Sequence, residues 1–180
     1  MNIFYLDQCP IASAHAHCDK HVPKMIVESF QMQVSSLIRH GVEPDLLPLT
    51  KSGHPARGGY HRHPCTIWAG NNKGNFNWLG VLAVELCYEF EERYGHQHFC
   101  AAGLDQMADM DHYITSEVYG PVVQAMPEEY KKDNPVDAYR AYYHSKEFAK
   151  WERGTPAPSW WNPLKQEGTI TKDEPLKLTK

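Results

Sequence analysis

An excess of lysine and arginine is the first thing this sequence lacks. Its 18 Lys and Arg stand against 22 Asp and Glu, a formal net charge of −4 with a pI near 6.2. Proteins that track duplex phosphates draw most of their non-specific affinity from counterion release onto Lys and Arg. Extensive non-specific duplex binding is therefore disfavoured, and any phosphate contact has to come from a local basic patch. The 11 His residues add positive charge only below about pH 6.5. Long apolar runs are also missing: Glu, Asn or His interrupts them every few residues, so no stretch of about 20 residues suits a bilayer. Residues 1–7 carry neither a basic segment nor a long apolar core, and no secretory signal is expected. Cys9, Cys18, Cys65, Cys87 and Cys100 are odd in number and never form C-x-x-C, which reads as reduced thiols in a cytosolic setting, none an obvious nucleophile. Walker A, G-x-G-x-x-G and G-x-S-x-G motifs are absent, so neither a P-loop enzyme nor a Rossmann dehydrogenase is supported.

What is present is an ordinary globular composition, 42% hydrophobic and 22% charged over 180 residues, enough for one domain with a real core. Val22, Ile26, Phe30, Val34 and Leu37 recur at helical spacing within a helical stretch from Ile11 to about His40, ended by Gly41. Pro23 either starts the main helix or bends a longer one. Residues 42–66 hold four Pro and three Gly and read as a long loop. A second long helix is predicted over Asn75–Tyr94 on the stripe Phe76, Leu79, Ala83, Leu86, Phe90, with Gly95 as its stop. One or two shorter helices follow over 99–118, and another begins at Asn134-Pro135 with Asn134 as N-cap. The expected architecture is mainly α: a single compact helical domain over 1–165 with a long central loop, then a polar, mobile tail over 166–180.

The densest chemical cluster is His15-Ala16-His17-Cys18-Asp19-Lys20-His21-Val22-Pro23-Lys24, followed by Glu28. On one continuous helix, His17, His21, Lys24, Glu28 and Gln31 fall within a wedge of roughly 80°. Bases, an ammonium and a carboxylate on one ridge are the inventory for proton transfer or an amine nucleophile; a solvated helix face is the competing reading. Three H-x-H pairs, His15/His17, His61/His63 and His96/His98, are compatible with a transition metal, but no H-E-x-x-H or C-x-x-C frame accompanies them. Gly58–Trp68 mixes flexible backbone, cations and aromatics: Tyr60 and Trp68 suit base stacking and His63 suits a phosphate, unless the aromatics simply fold into the core. Glu89 and Arg93 form an i, i+4 pair, and Arg140 lies among tyrosines able to line a ligand or fill a core.

MNIFYLD, HCDKHVPKM with Glu28, HPCTIW, RYGHQH, QAMPEEY and AYRAYY together resemble a group of phage and viral proteins of similar length and no assigned activity, over about residues 1–161. A more distant likeness runs to the phage pyrimidine-dimer DNA glycosylases, the endonuclease V family. It rests on Lys20-His21-Val22-Pro23-Lys24, on Gly59-Tyr60-His61-Arg62-His63-Pro64, and on the aromatic close at Tyr142, Tyr143 and Trp160. That resemblance implies a compact all-helical fold and cleavage of a glycosidic bond by an N-terminal α-amine helped by a glutamate. His21 stands where the glutamate is expected, so Glu28, Glu89 or His21 has to take that role. Asn2 implies that Met1 is retained, so the family's N-terminal nucleophile is absent in form; Lys24 is expected to serve as nucleophile or cation, with Glu28 and His21 moving protons.

The leading expectation is a phage-type N-glycosylase/lyase-like enzyme acting on a base–sugar linkage in DNA or a nucleotide, in the cytoplasm of an infected host cell. His21, Lys24, Glu28 and Glu89 are its candidate catalytic residues. His17, Lys20, Tyr60, His63, Trp68, Arg93 and Arg140 are its candidate substrate contacts. No cofactor and no membrane partner are expected. Two alternatives stand beside it: a non-catalytic protein that sequesters a nucleotide during infection, and a hydrolase using a divalent metal on the His pairs.

Overall fold

The protein is described by a computed structural model over residues 1–161; the tail expected at 166–180 lies outside the described residues. The described chain is mainly helical, with one isolated β-bridge between Leu49 and Pro55. Its helices are α1 (Pro10–His15), α2 (His21–Arg39), α3 (Pro64–Ala69), α4 (Lys73–Tyr94), α5 (Ala101–Ala108) and α6 (Pro135–His144), joined by short 3-10 turns. None of them is long and apolar enough to cross a membrane.

Two long helices, α2 and α4, pack along each other, and α4 also carries α1 and α5. The expected stripes are what they bury. Val22, Ile26, Val34 and Leu37 of α2 and Phe76, Leu79, Ala83 and Leu86 of α4 have no exposed surface, while Phe30 is only partly covered. Helix α4 starts where Asn72 accepts a hydrogen bond from the Asn75 amide (2.8 Å) and stops at Gly95, whose φ of 76° a side chain would strain. Asn134 caps α6 through the Val136 amide at 2.9 Å, with Pro135 in the first position. The long loop is shorter than expected, because residues 44–46 make a 3-10 turn and α3 begins at Pro64.

Of the two readings of Pro23 the start holds, and the helical stretch from Ile11 is two helices. The chain leaves α1 after His15, turns through residues 16–20, and restarts at His21, so Pro23 sits in the first turn of α2, where a missing amide costs nothing. Tertiary bonding holds the break open. The Arg93 guanidinium, buried on α4, donates to the His17 carbonyl (2.8 Å), to Asp19 Oδ1 (3.1 Å) and through Nε to Glu89 Oε2 (2.8 Å). Asp19 Oδ2 in turn accepts the Glu152 amide (2.7 Å), and the Asp19 amide donates to the Lys150 carbonyl (2.9 Å). Arg93 thus ties α4 to the 16–20 turn, and Asp19 ties that turn to residues 150–152.

Removing the cation while both carboxylates stay largely buried leaves them uncompensated. We expect Arg93→Met to lower stability by about 3–5 kcal/mol in urea titrations. A loss below about 1 kcal/mol would show that the network does not hold the fold.

Candidate active site

The amino end of the chain is bent into the protein by Asn2. Its side-chain oxygen accepts the Ile3 and Phe4 amides (2.8 and 3.0 Å), and its amide nitrogen donates to the Ala125 carbonyl (2.9 Å). The turn puts Phe4 at a φ of 37°, a conformation that a side chain rarely adopts. Packing holds it there, with the Phe4 ring centroid 4.6 Å from that of His21 and 5.3 Å from that of Tyr143.

This turn delivers the main chain to Glu28, in the middle of α2. Glu28 Oε2 accepts the Asn2 amide at 2.8 Å and lies 3.7 Å from the Met1 amino nitrogen; Oε1 lies 3.8 Å from Lys24 Nζ. A carboxylate 14% exposed thus stands between two primary amines, of which Lys24 is 61% exposed. His63 borders the same spot: burial holds its imidazole below the ordinary value, the Met1 ammonium pushes the same way, and Glu28 opposes them. His63 Nδ1 also accepts the Cys65 amide (3.2 Å), capping α3. Ser35, two turns along α2 from Glu28, pins the loop over the site by accepting the Gly59 amide (2.9 Å) and donating to its carbonyl (3.0 Å). A side chain at Gly58 would meet Ser35 Oγ at 2.2 Å, so this crossing requires glycine. Beyond it Tyr60 projects, 67% exposed with a φ of 52°.

Of the residues expected to share one site, the structure joins Lys24, Glu28 and His63 and disperses others. His17 is off the helix and sealed in the core, its Nδ1 donating to the Ser13 carbonyl (2.7 Å) and its Nε2 without a partner among the described residues. His21 is buried and bonded through Nδ1 to the Tyr143 hydroxyl (2.8 Å), which itself accepts the Cys18 amide (2.9 Å). Trp68 is buried edge-on to Trp78, so it presents no face to a base. Arg93 is consumed by Asp19 and Glu89 and has no surface for a phosphate. Glu89 and Arg140 line a different cavity together with His15 and Trp160. There Glu89 also accepts from Thr155 (2.9 Å), while Arg140 donates to the Leu6 carbonyl (2.9 Å) and Asp7 (3.1 Å). Lys20 is exposed in a third cavity, 5.3 Å from the Phe148 ring centroid.

The H-x-H pairs do not converge. His15 faces Glu85 at 2.7 Å, His61 is exposed, and His96 and His98 both meet the Phe90 ring. Among the described residues no group of three or more His, Cys, Asp or Glu is arranged to hold a metal. All five cysteines are free, and burial pushes the Cys65, Cys87 and Cys100 thiols up to about 12. The contributions of Asn2 and Ser35 carried no motif, since each acts through backbone groups that only the fold brings near.

Comparison of the chain with protein-family models, with curated proteins and with solved structures found no match.

The two buried imidazoles define a pH response. Burial, with Arg93 adding to it, lowers His17 to about 4; burial, then His17, Lys24 and Lys146, lowers His21 to about 3. Both bind protons more weakly in the folded chain than at their ordinary 6.5, so their contribution is whole above pH 6.5 and is lost as pH falls toward 4. Unfolding free energies from urea titrations at pH 7 and pH 5 are expected to differ by about 2 kcal/mol for each imidazole. Equal values would contradict neutral, buried histidines.

Proposed function

We propose that this chain is an N-glycosylase/lyase acting on a base–sugar linkage in DNA or a nucleotide, with the amine at Met1 as nucleophile and Glu28 as its proton carrier. The observation that carries this reading is the Glu28 carboxylate held between the Met1 and Lys24 amines at 3.7 and 3.8 Å. Glu28 takes a proton from the Met1 ammonium, and the freed lone pair attacks C1′. The bond from C1′ to the base breaks, its electron pair leaves with the base, and a second proton passes from the nitrogen to that base. Glu28 returns its proton to O4′ as the sugar ring opens, leaving a protonated imine between Met1 and C1′. Lys24, on the other carboxylate oxygen, balances the charge of Glu28 and approaches a phosphate from the solvent side. His63 borders the attacking amine, and Tyr60 offers an exposed ring for stacking a base.

The net charge of −4 favours a small nucleotide over a long duplex as substrate. The phage-type assignment rests on the sequence resemblance, and five free thiols suit a reducing cytoplasm.

The test is borohydride trapping on UV-irradiated and abasic duplexes, with the adduct mapped by peptide mass. Hydride reduces the imine to a secondary amine on the attacking residue, and we expect the adduct on the Met1 peptide. Glu28→Gln is expected to lower its rate at least about 100-fold with the helical circular dichroism unchanged. An adduct on Lys24 would move the nucleophile to the other side of Glu28. No adduct on either amine would overturn the reading for these substrates.

A further inference from the structure

Between Asp45 and Glu85 the chain has no carboxylate, yet it carries Lys51, Arg57, Arg62 and Lys73 with His54, His61 and His63. In a protein of net charge −4 this is a strong local asymmetry, and the fold concentrates part of it on one cavity. A space of about 350 Å³ opens between α2, the loop over residues 49–58 and the start of α5. Its walls include Phe30, Gln31, Lys51, Arg57 and Phe99, and among the described residues no Asp or Glu lines it. Asp105 of α5 lines another cavity, and Glu28, next in sequence to the wall residue Val27, is turned to Met1.

Three properties together select the occupant. The two cations have no carboxylate partner among the described residues: Lys51 Nζ rests 4.5 Å from the Phe99 ring centroid, and Arg57 is exposed without an ion pair. The apolar walls set two aromatic rings, Phe30 and Phe99, among Val27, Leu49 and Ala56, and Phe99 is 58% exposed although it closes a cavity. The Gln31 amide, a donor and an acceptor side by side, has no hydrogen-bond partner among the described residues. Flat apolar walls select a planar ring, unpaired Lys and Arg select a phosphate, and a free amide reads a polar ring edge. The volume lies at the lower end of the roughly 300–1,000 Å³ of small-molecule sites, room for one such unit and not for a run of strand.

We propose that this cavity binds a single nucleotide unit, its base between Phe30 and Phe99 and its phosphate on Lys51 and Arg57. The site is distinct from the amine site, although the two share α2: Gln31 is one turn beyond Glu28, and Gly58, which lines the cavity, continues into the loop that reaches His63. Binding here does not require the amine chemistry and is measured without turnover.

Isothermal titration with dAMP, TMP, adenosine, inorganic phosphate and a single-stranded octanucleotide tests it. The expected result is one-to-one binding of a nucleoside monophosphate, at least tenfold weaker for adenosine or phosphate alone. Lys51→Ala and Arg57→Ala should each weaken it at least fivefold. Both side chains are exposed and unpaired, so these variants should fold, and Phe99→Leu provides a third that keeps the wall apolar. Equal affinity for mononucleotide and octanucleotide identifies a free nucleotide as the ligand. Much tighter octanucleotide binding that the same variants weaken identifies a unit of a strand. No binding of either at millimolar concentration, or binding that the Lys51→Ala/Arg57→Ala double variant leaves unchanged, overturns the proposal.

Discussion

The buried guanidinium of Arg93 is the constraint on which the rest of this fold turns. A cation without exposed surface is sustainable only if its charge and its donors are met, and Asp19, Glu89 and the His17 carbonyl meet them. To supply that carbonyl and that carboxylate, the chain must leave its helix after His15 and resume it at His21. Helix α2 therefore starts where the Arg93 network lets it start, and the position of Glu28, two turns on, follows from that.

A second constraint works from the opposite side. The Asn2 turn bends the amino end inward at the expense of an unfavourable backbone angle at Phe4, and the aromatic packing of Phe4 with His21 and Tyr143 offsets it. The same cluster that buries His21 and keeps it neutral packs the turn that brings Met1 to Glu28. The cluster of histidines most suggestive of catalysis is in this way largely structural. Its effect on the site is indirect, through the rigidity of the turn and the helix start.

The cavity lined by Gly58 and the Met1–Glu28 pair both draw on α2, to which Ser35 pins the loop. A stiff crossing of this kind allows two binding surfaces to share a helix without sharing residues. It also explains the glycine at 58: the loop passes so close to α2 that a Cβ there has no room.

Much of the helical framework was legible from the residues alone. The apolar stripes of α2 and α4, the Asn134-Pro135 start of α6 and the Gly41 and Gly95 stops act within a few residues of chain, so spacing and local conformational preference determine them. Lys24 and Glu28 were legible for the same reason, being one turn apart on a helix. His17, Trp68 and Arg93 were not, because a polar or aromatic side chain has the same periodicity whether it faces a pocket or is buried with a partner from elsewhere in the chain. What the sequence by itself determined is the bodies of the long helices α2 and α4, the start of α6 and the local pairing of Lys24 with Glu28. Only the tertiary structure decided that the histidine ridge is broken, that Arg93 is buried against Asp19 and the His17 carbonyl, and that the Met1 amine rests on Glu28. Each of these depends on contacts between residues tens of positions apart, where burial and charge neutralisation outweigh local spacing.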